Sequence, residues 1–287
     1  MKWLNSSLVL GMFCWPGAAW AELQLLPGKE TPCGFAGTAR KISVVWHNAG
    51  GKVWEGEISA RLFQTSSATV AQSGEMPWKK LQVLPGQTVV ESAQLDFPAV
   101  KAETKFLVQW LENTNVIGKT EVLVYPTNLL AELKPLAGGE PLGIFDPQNQ
   151  IKPWLKNLRV EFSDLENSGL ENFSGRLAIV GPFSSKAKMR DGLAEQIQTL
   201  AKKSVAIVWL QPPPEPSPRS SPIRSEREKL QPSFYSVLEK QIAVVIVQPD
   251  LVADLASNPQ SQLNLIYFSK LALHPQPPAL PGLSPQP

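Results

Sequence analysis

The side chains able to do chemistry are few and widely spaced. The chain holds two cysteines and two histidines. Cys14 lies in an apolar N-terminal stretch, which leaves Cys33 with no internal partner. His47 and His274 are far apart in sequence, and a zinc site needs several nitrogen or sulfur ligands. No Asp-x-Asp-x-Asp-Gly loop is present for calcium. No metal and no cofactor is therefore expected. Oxygen chemistry remains. Asp146 and Asp250 each follow an apolar run, a placement that would let two carboxylates share acid and base work. Ser184 and Ser185 follow a third apolar run and open a helical pattern. Each offers a hydroxyl as nucleophile or as helix N-cap. No Gly-x-Ser-x-Gly elbow surrounds them, and capping explains both. The aromatic alternative is stacking on sugar rings. Trp54 and Trp78 sit beside turns and charged residues (Lys52, Glu55, Lys79, Lys80), so both are expected at the surface. Trp46 and Trp110 fall at alternating strand positions and are expected in the core.

Two different periodicities position these residues. In the first third the period is two. Ile42, Val44 and Trp46 alternate with Ser43, Val45 and His47; Ile58, Ala60 and Leu62 alternate with Glu57, Ser59 and Arg61. Further runs start at Leu81, Val89, Phe106 and Val122. Turn signals such as Asn48-Ala49-Gly50-Gly51 and Leu84-Pro85-Gly86-Gln87 separate them. This predicts an antiparallel β-sandwich of about seven strands over residues 30–126. Residues 127–140, with Ala137-Gly138-Gly139, read as a linker.

From residue 141 to 274, strands alternate with helices. Leu142 to Phe145 is an apolar run, and Ile151, Trp154, Leu155 and Leu158 recur at helical spacing. Val160 and Phe162 open another extended run. Leu177 to Val180, Val205 to Leu210 and Ile242 to Val247 are apolar at every position, as in strands covered on both faces. A helix is expected over 186–203, with Met189, Leu193, Ile197 and Leu200 inward. Another is expected over 259–273, with Leu263, Ile266, Tyr267, Lys270 and Leu273 as its buried stripe. The expected fold class is β plus α/β: an N-terminal antiparallel β-sandwich and a C-terminal three-layer, doubly wound parallel sheet. Such sheets take ligands outside the C-terminal ends of their strands. That edge would carry Asp146, Gly181, Phe183, Ser184, Ser185, Gln211 and Asp250, with the helix start suited to an anion. A proline-rich insertion at 211–232 interrupts the domain, and the tail 275–287, with its six prolines, is expected to be disordered.

The formal net charge is +2, too weak a field for nucleic acid or anionic lipid. Residues 1–21 read as a signal peptide: Lys2, the apolar run Leu8 to Trp15, and the cleavage box Ala19-Trp20-Ala21. The run is shorter than the roughly 20 residues a membrane helix needs. An exported protein, periplasmic or extracellular, with no transmembrane span after cleavage is expected.

Trp46-His47-Asn48-Ala49-Gly50, the Leu84-Pro85-Gly86-Gln87 turn, Leu95-Asp96-Phe97-Pro98 and Val122-Leu123-Val124-Tyr125-Pro126 resemble the immunoglobulin or fibronectin III-like modules of secreted bacterial proteins. Leu142–Pro147, Leu177–Phe183, the helix at 186–203 and the strand at 205–210 resemble the class I glutamine amidotransferase-like fold, a flavodoxin-like family. The active family carries a cysteine on a Gly-x-Cys-x-Gly elbow. Here the strands end in Val180-Gly181-Pro182-Phe183 and Leu210-Gln211-Pro212-Pro213, with no cysteine in the domain. The resemblance therefore implies a non-catalytic binding or assembly protein with a protein or saccharide partner. Two alternatives are a hydrolase of an extracellular polymer using Asp146, Ser184 and Asp250, and a carbohydrate-binding protein using Trp54 and Trp78.

Overall fold

The computed structural model describes residues 22–28, 30–65, 71–183, 189–211, 233–236 and 243–275. The expected signal peptide, Ser184, Ser185, nearly all of the proline-rich insertion and the tail beyond Pro275 lie outside them. The described chain combines strand-rich sheets with a parallel sheet flanked by helices, a mixed β plus α/β class.

Eight strands come first: β1 (Leu23–Leu26), β2 (Cys33–Phe35), β3 (Ala39–Asn48), β4 (Trp54–Gln64), β5 (Ala71–Val83), β6 (Thr88–Asp96), β7 (Thr104–Glu112) and β8 (Asn115–Tyr125). They make a three-stranded sheet, β1-β3-β6, and a five-stranded sheet, β2-β8-β7-β4-β5. β1 on β3, β4 on β5 and β4 on β7 are antiparallel; β2 joins the end of β8 in parallel. The period-two residues Ile42, Val44, Trp46, Ile58, Ala60 and Leu62 all point into the core.

β5 breaks that period. Lys79 pairs with Ile58 and Pro77 with Ser59, so Trp78 is the extra residue of a bulge. A bulge re-aims the side chain it carries. The Trp78 ring turns onto Trp46 and Trp110, with centroids 6.4 and 4.9 Å away. Trp78 is thus half-buried in a three-tryptophan cluster.

Asn48 ends β3 and is fully buried. Its Nδ2 donates to the carbonyls of Lys52 and Val83 at 2.8 and 2.9 Å. Its Oδ1 accepts from the backbone N–H of Gly50 at 3.0 Å and of Glu22 at 3.4 Å. Its own N–H donates to Gln87 and its carbonyl accepts from Gly86. One amide thereby ties the chain before β1, the β3–β4 turn and the β5–β6 turn. Every polar atom it buries has a partner, as burial demands.

The second set of elements is α1 (Leu133–Leu136), β9 (Leu142–Phe145), α2 (Lys152–Asn157), β10 (Phe162–Asp164), α3 (Leu165–Ser168), β11 (Leu177–Val180), α4 (Leu193–Lys202), β12 (Ala206–Leu210), β13 (Ser233–Ser236), β14 (Ala243–Val247) and α5 (Pro259–Leu273). The sheet order is β10-β9-β11-β12-β14-β13, parallel except for β13. Alternate residues of one strand enter different clusters. Ile144, Ile179 and Val208 pack with Leu155 of α2 and Leu265 of α5; Phe145, Val180 and Ile207 pack with Leu165 of α3 and Ile197 of α4. Both faces are covered, which is why these strands are apolar throughout.

Two helices differ from expectation. α4 begins behind Gly192, in the left-handed conformation at φ +77°, and not at the serine pair. Met189 still packs against the same cluster, from the chain ahead of the helix. α5 spans the expected residues and buries Ile266 and Leu273 of the expected stripe, with Leu263 half-buried, but Tyr267 is 58% exposed, Lys270 is exposed too, and Ser261, Gln262, Leu265, Phe268, Ser269 and Ala272 are also inward. Gln262 Nε2 donates to the Leu255 carbonyl and Ser269 Oγ to the Leu265 carbonyl, which lets two polar residues lie inward, so apolarity alone misses part of the buried face.

The chain divides into two compact units. One holds Ala39–Leu95, Lys105–Val122 and the chain up to Pro32; the other holds Cys33–Thr38, Asp96–Thr104 and everything from Leu123. Phe35 and Tyr125, inside the span read as the first domain, belong to the core of the second unit. Leu129, Leu130 and Leu133, inside the stretch read as a linker, are buried in it too.

Candidate functional site

The C-terminal strand ends of the parallel sheet are laced by backbone hydrogen bonds. Gly181 N–H donates to the Phe145 carbonyl at 2.8 Å, Phe183 N–H to that of Leu210 at 3.1 Å, and Gln211 N–H to that of Val247 at 3.1 Å. Three expected site residues, Gly181, Phe183 and Gln211, are therefore brought into one row, but by their main chains. Gly181 has φ +104°, and a Cβ there would collide with the Leu210 carbonyl, so only glycine fits. The Phe183 ring is fully buried against Phe145, not lining an open cleft.

Asp146 leaves β9 and is fully buried. Its Oδ2 accepts from the N–H groups of Ile151 and Lys152 at 2.7 and 3.0 Å, which positions the start of α2. Its own N–H donates to Glu166 Oε1 at 2.8 Å. Its Oδ1 has no partner among the described residues, and neither has Gln148 Nε2, two residues on.

Lys152 completes this centre. Its side chain is 7% exposed, and its Nζ lies 2.5 Å from Glu166 Oε1 and 3.0 Å from Asp164 Oδ1. Burial works against the Lys152 charge, but the hydrogen bonds and charges of Glu166 and Asp164 outweigh it and raise its pKa. Partial burial likewise opposes the Asp164 charge. Lys152 and the N–H groups of Glu166 and Asn167 outweigh it, holding that carboxyl below its usual range. A cleft of about 580 Å³ beside β10 is lined by Ser163, Asp164, Ser168, Asn172 and Phe173.

The remaining candidates do not converge. Asp250 is exposed in a turn after β14. β11 and β12 separate β14 from β9, and three steps of about 4.8 Å put the two strand ends roughly 14 Å apart. Carboxylates that flank a scissile bond lie within about 9.5 Å. Trp54 is 4% exposed, because it opens β4 on the inward phase; its ring has no open face for a sugar. The sequence reading missed Lys152, Asp164 and Glu166. The visible signal was Asp164 two residues ahead of Glu166, where Asp164 caps α3 by accepting from the Glu166 N–H. Nothing in the linear pattern placed Lys152 between them.

No family model and no curated protein matches the chain. Among solved structures it is similar to an alkylpurine DNA glycosylase of Pseudomonas fluorescens bound to DNA with an abasic site analogue, at 10% identity and TM-score 0.29, over 37% of this chain and 31% of that one. It is similar to a β-glucosidase of Listeria innocua in complex with gluconolactone, at 13% identity and TM-score 0.29, over 37% of this chain and 16% of that one. It is similar to the sporulation control protein of Bacillus subtilis, at 14% identity and TM-score 0.28, over 42% of this chain and 56% of that one. The matched region spans under two thirds of each of these proteins. Among the described residues, no helix is long and apolar enough to cross a membrane.

Proposed function

We propose that the chain is an exported, non-catalytic binding or assembly protein. In this reading an immunoglobulin-like β-sandwich is followed by a flavodoxin-like, doubly wound domain akin to the glutamine amidotransferases but without their nucleophile. The eight-stranded first region and the strand order running both ways from β9 and β11 support the two fold assignments. One observation carries the functional part. The polar groups at the strand ends already serve structure: Asp146 caps α2, Lys152 pairs with Asp164 and Glu166, and Gly181, Phe183 and Gln211 are held by backbone bonds. A hydrolytic site needs a nucleophile and a base within hydrogen-bond reach of each other.

The purified protein, offered polysaccharides, peptides and chromogenic esters, is expected to turn over none of them above buffer. Turnover abolished by Asp146→Asn or Asp250→Asn would overturn the reading in favour of the hydrolase. A thermal-shift screen tests the binding half. A ligand at a hundredfold its Kd adds roughly 2.7 kcal/mol of stability, so a shift confined to one chemical class names the ligand.

A further inference from the structure

The parallel sheet ends at β10, and that edge carries the open cleft. Ser163 of β10 stands in register with Gly143 of β9, so the edge presents two of the smallest residues side by side. Glycine at 143 lets the Phe173 ring lie across β9, where a Cβ would collide with it. The ring forms an apolar wall, and the space beside it, bordered by Ser163, is the cleft of about 580 Å³. That volume falls within the roughly 300–1,000 Å³ of small-ligand sites. Phe173 is only 7% exposed, too little for a ligand to stack on, so recognition here falls to hydrogen bonds.

The lining is rich in hydroxyl, amide and carboxylate groups: Glu140, Ser163, Asp164, Ser168, Asn172 and Ser174, with no basic side chain among the described residues that border it. Three of these groups are fixed by their neighbours. Asn172 Nδ2 donates to the Ser168 carbonyl at 2.7 Å, which leaves its Oδ1 as an acceptor. Ser168 Oγ donates to the Asp164 carbonyl at 3.0 Å, which leaves its lone pairs. Asp164 is held through Oδ1 by Lys152 and through Oδ2 by Asn167, with acceptor capacity to spare on Oδ2. Polar groups ordered in advance lose little entropy on binding. We propose that this cleft binds a neutral saccharide, whose hydroxyls donate to Asp164 Oδ2 and Asn172 Oδ1 and accept from Ser163 and Ser174. The proposal rests on the reading of the chain as a binding protein and names its ligand class. Other classes fit less well. An apolar ligand would strand the polar lining. A phosphate or carboxylate ligand would meet Glu140 and Asp164 without a basic partner in that lining. No three His, Cys, Asp or Glu side chains converge on a metal site among the described residues.

Amide shifts in ¹H–¹⁵N correlation spectra of the full chain test this directly. The probes are neutral cello-, manno- and chito-oligosaccharides, with an oligogalacturonate as the anionic control. A neutral member is expected to move the amides of Ser163, Asn172, Ser174 and Gly175, and the oligogalacturonate to leave them in place. Asn172→Ala is expected to weaken that binding about tenfold, the worth of one hydrogen bond. Ser174→Trp, which fills the cleft, is expected to abolish it. Both residues are exposed, so both variants keep the fold. Binding that survives Ser174→Trp would overturn the proposal, as would oligogalacturonate binding at the same amides. So would the absence of any shift there at millimolar saccharide. If a peptide or nucleotide then stabilised the protein, the saccharide assignment alone would fall and the binding reading would stand. Cleavage of the bound saccharide would instead overturn the non-catalytic reading itself.

Discussion

Each unit is tied together by one buried polar centre, and the two centres are of opposite kinds. In the first unit it is the neutral amide of Asn48, with four side-chain hydrogen bonds and no atom unpaired. In the second it is charged: Lys152 between Asp164 and Glu166, with Asp146 beside it and Asp146 Oδ1 unpartnered among the described residues. A neutral network is insensitive to pH and fails only when an atom is removed. A charged one holds only while its members are ionised, and its desolvation offsets part of the attraction. The comparison also marks which centre is open to a ligand: Asn48 has no valence left, whereas Asp164 borders a cleft.

The sharpest way to break the comparison is Asn48→Ala. It strands the buried Val83 carbonyl and removes the partner of three part-buried groups, the Lys52 carbonyl and the N–H groups of Gly50 and Glu22, and about 3–4 kcal/mol of stability should be lost. Hydrogen exchange should speed up in β1, β3 and β5 and stay unchanged in β9 to β12. Lys152→Met should act in the reverse pattern with a smaller effect, about 2–3 kcal/mol. Removing one partner of a buried pair is costly, but both carboxylates are about a third exposed and water takes up part of the loss.

Titration separates the centres without mutation. The folded pKa of Lys152 is raised, so its contribution is complete below the unfolded lysine value of 10.5 and is lost as pH rises through the folded value. Tyr125 adds to the alkaline loss. Burial first, then the charge of Glu103, pushes its phenol up to about 12, so its share disappears between pH 10 and about 12. The folded pKa of Asp164 is lowered, so its contribution is present above 3.8 and is lost as pH falls through the folded value. Protection factors in the second unit, with the intrinsic pH dependence of amide exchange divided out, should therefore fall at both extremes, while those of the Asn48 region show no such pair of limbs. Equal pH sensitivity in both units would remove the distinction. The smallest effect is expected of Asp146→Asn. An amide oxygen can still accept from Ile151 and Lys152, so less than about 1 kcal/mol should be lost. A loss as large as that of Lys152→Met would mean that the Asp146 charge itself holds the centre.

Much of this architecture was legible in the sequence because it rests on local period. Alternation from Ile42 to Trp46 and from Ile58 to Leu62 placed β3 and β4, and uninterrupted apolar runs placed β9, β11, β12 and β14. Asp146, Gly181, Phe183 and Gln211 were recognised as strand-end residues for the same reason. Non-local relations were not legible. A bulge in the pairing with β4 re-aimed Trp78. Asn48, which reads as an ordinary turn residue, became the tie of its unit only through side-chain partners up to 35 positions away. Lys152 became a buried cation only because Asp164 and Glu166 arrive from the next strand and helix. Chain-neighbour sterics and burial preferences act within a few residues and are written in the sequence; the satisfaction of buried polar groups is a property of the closed structure.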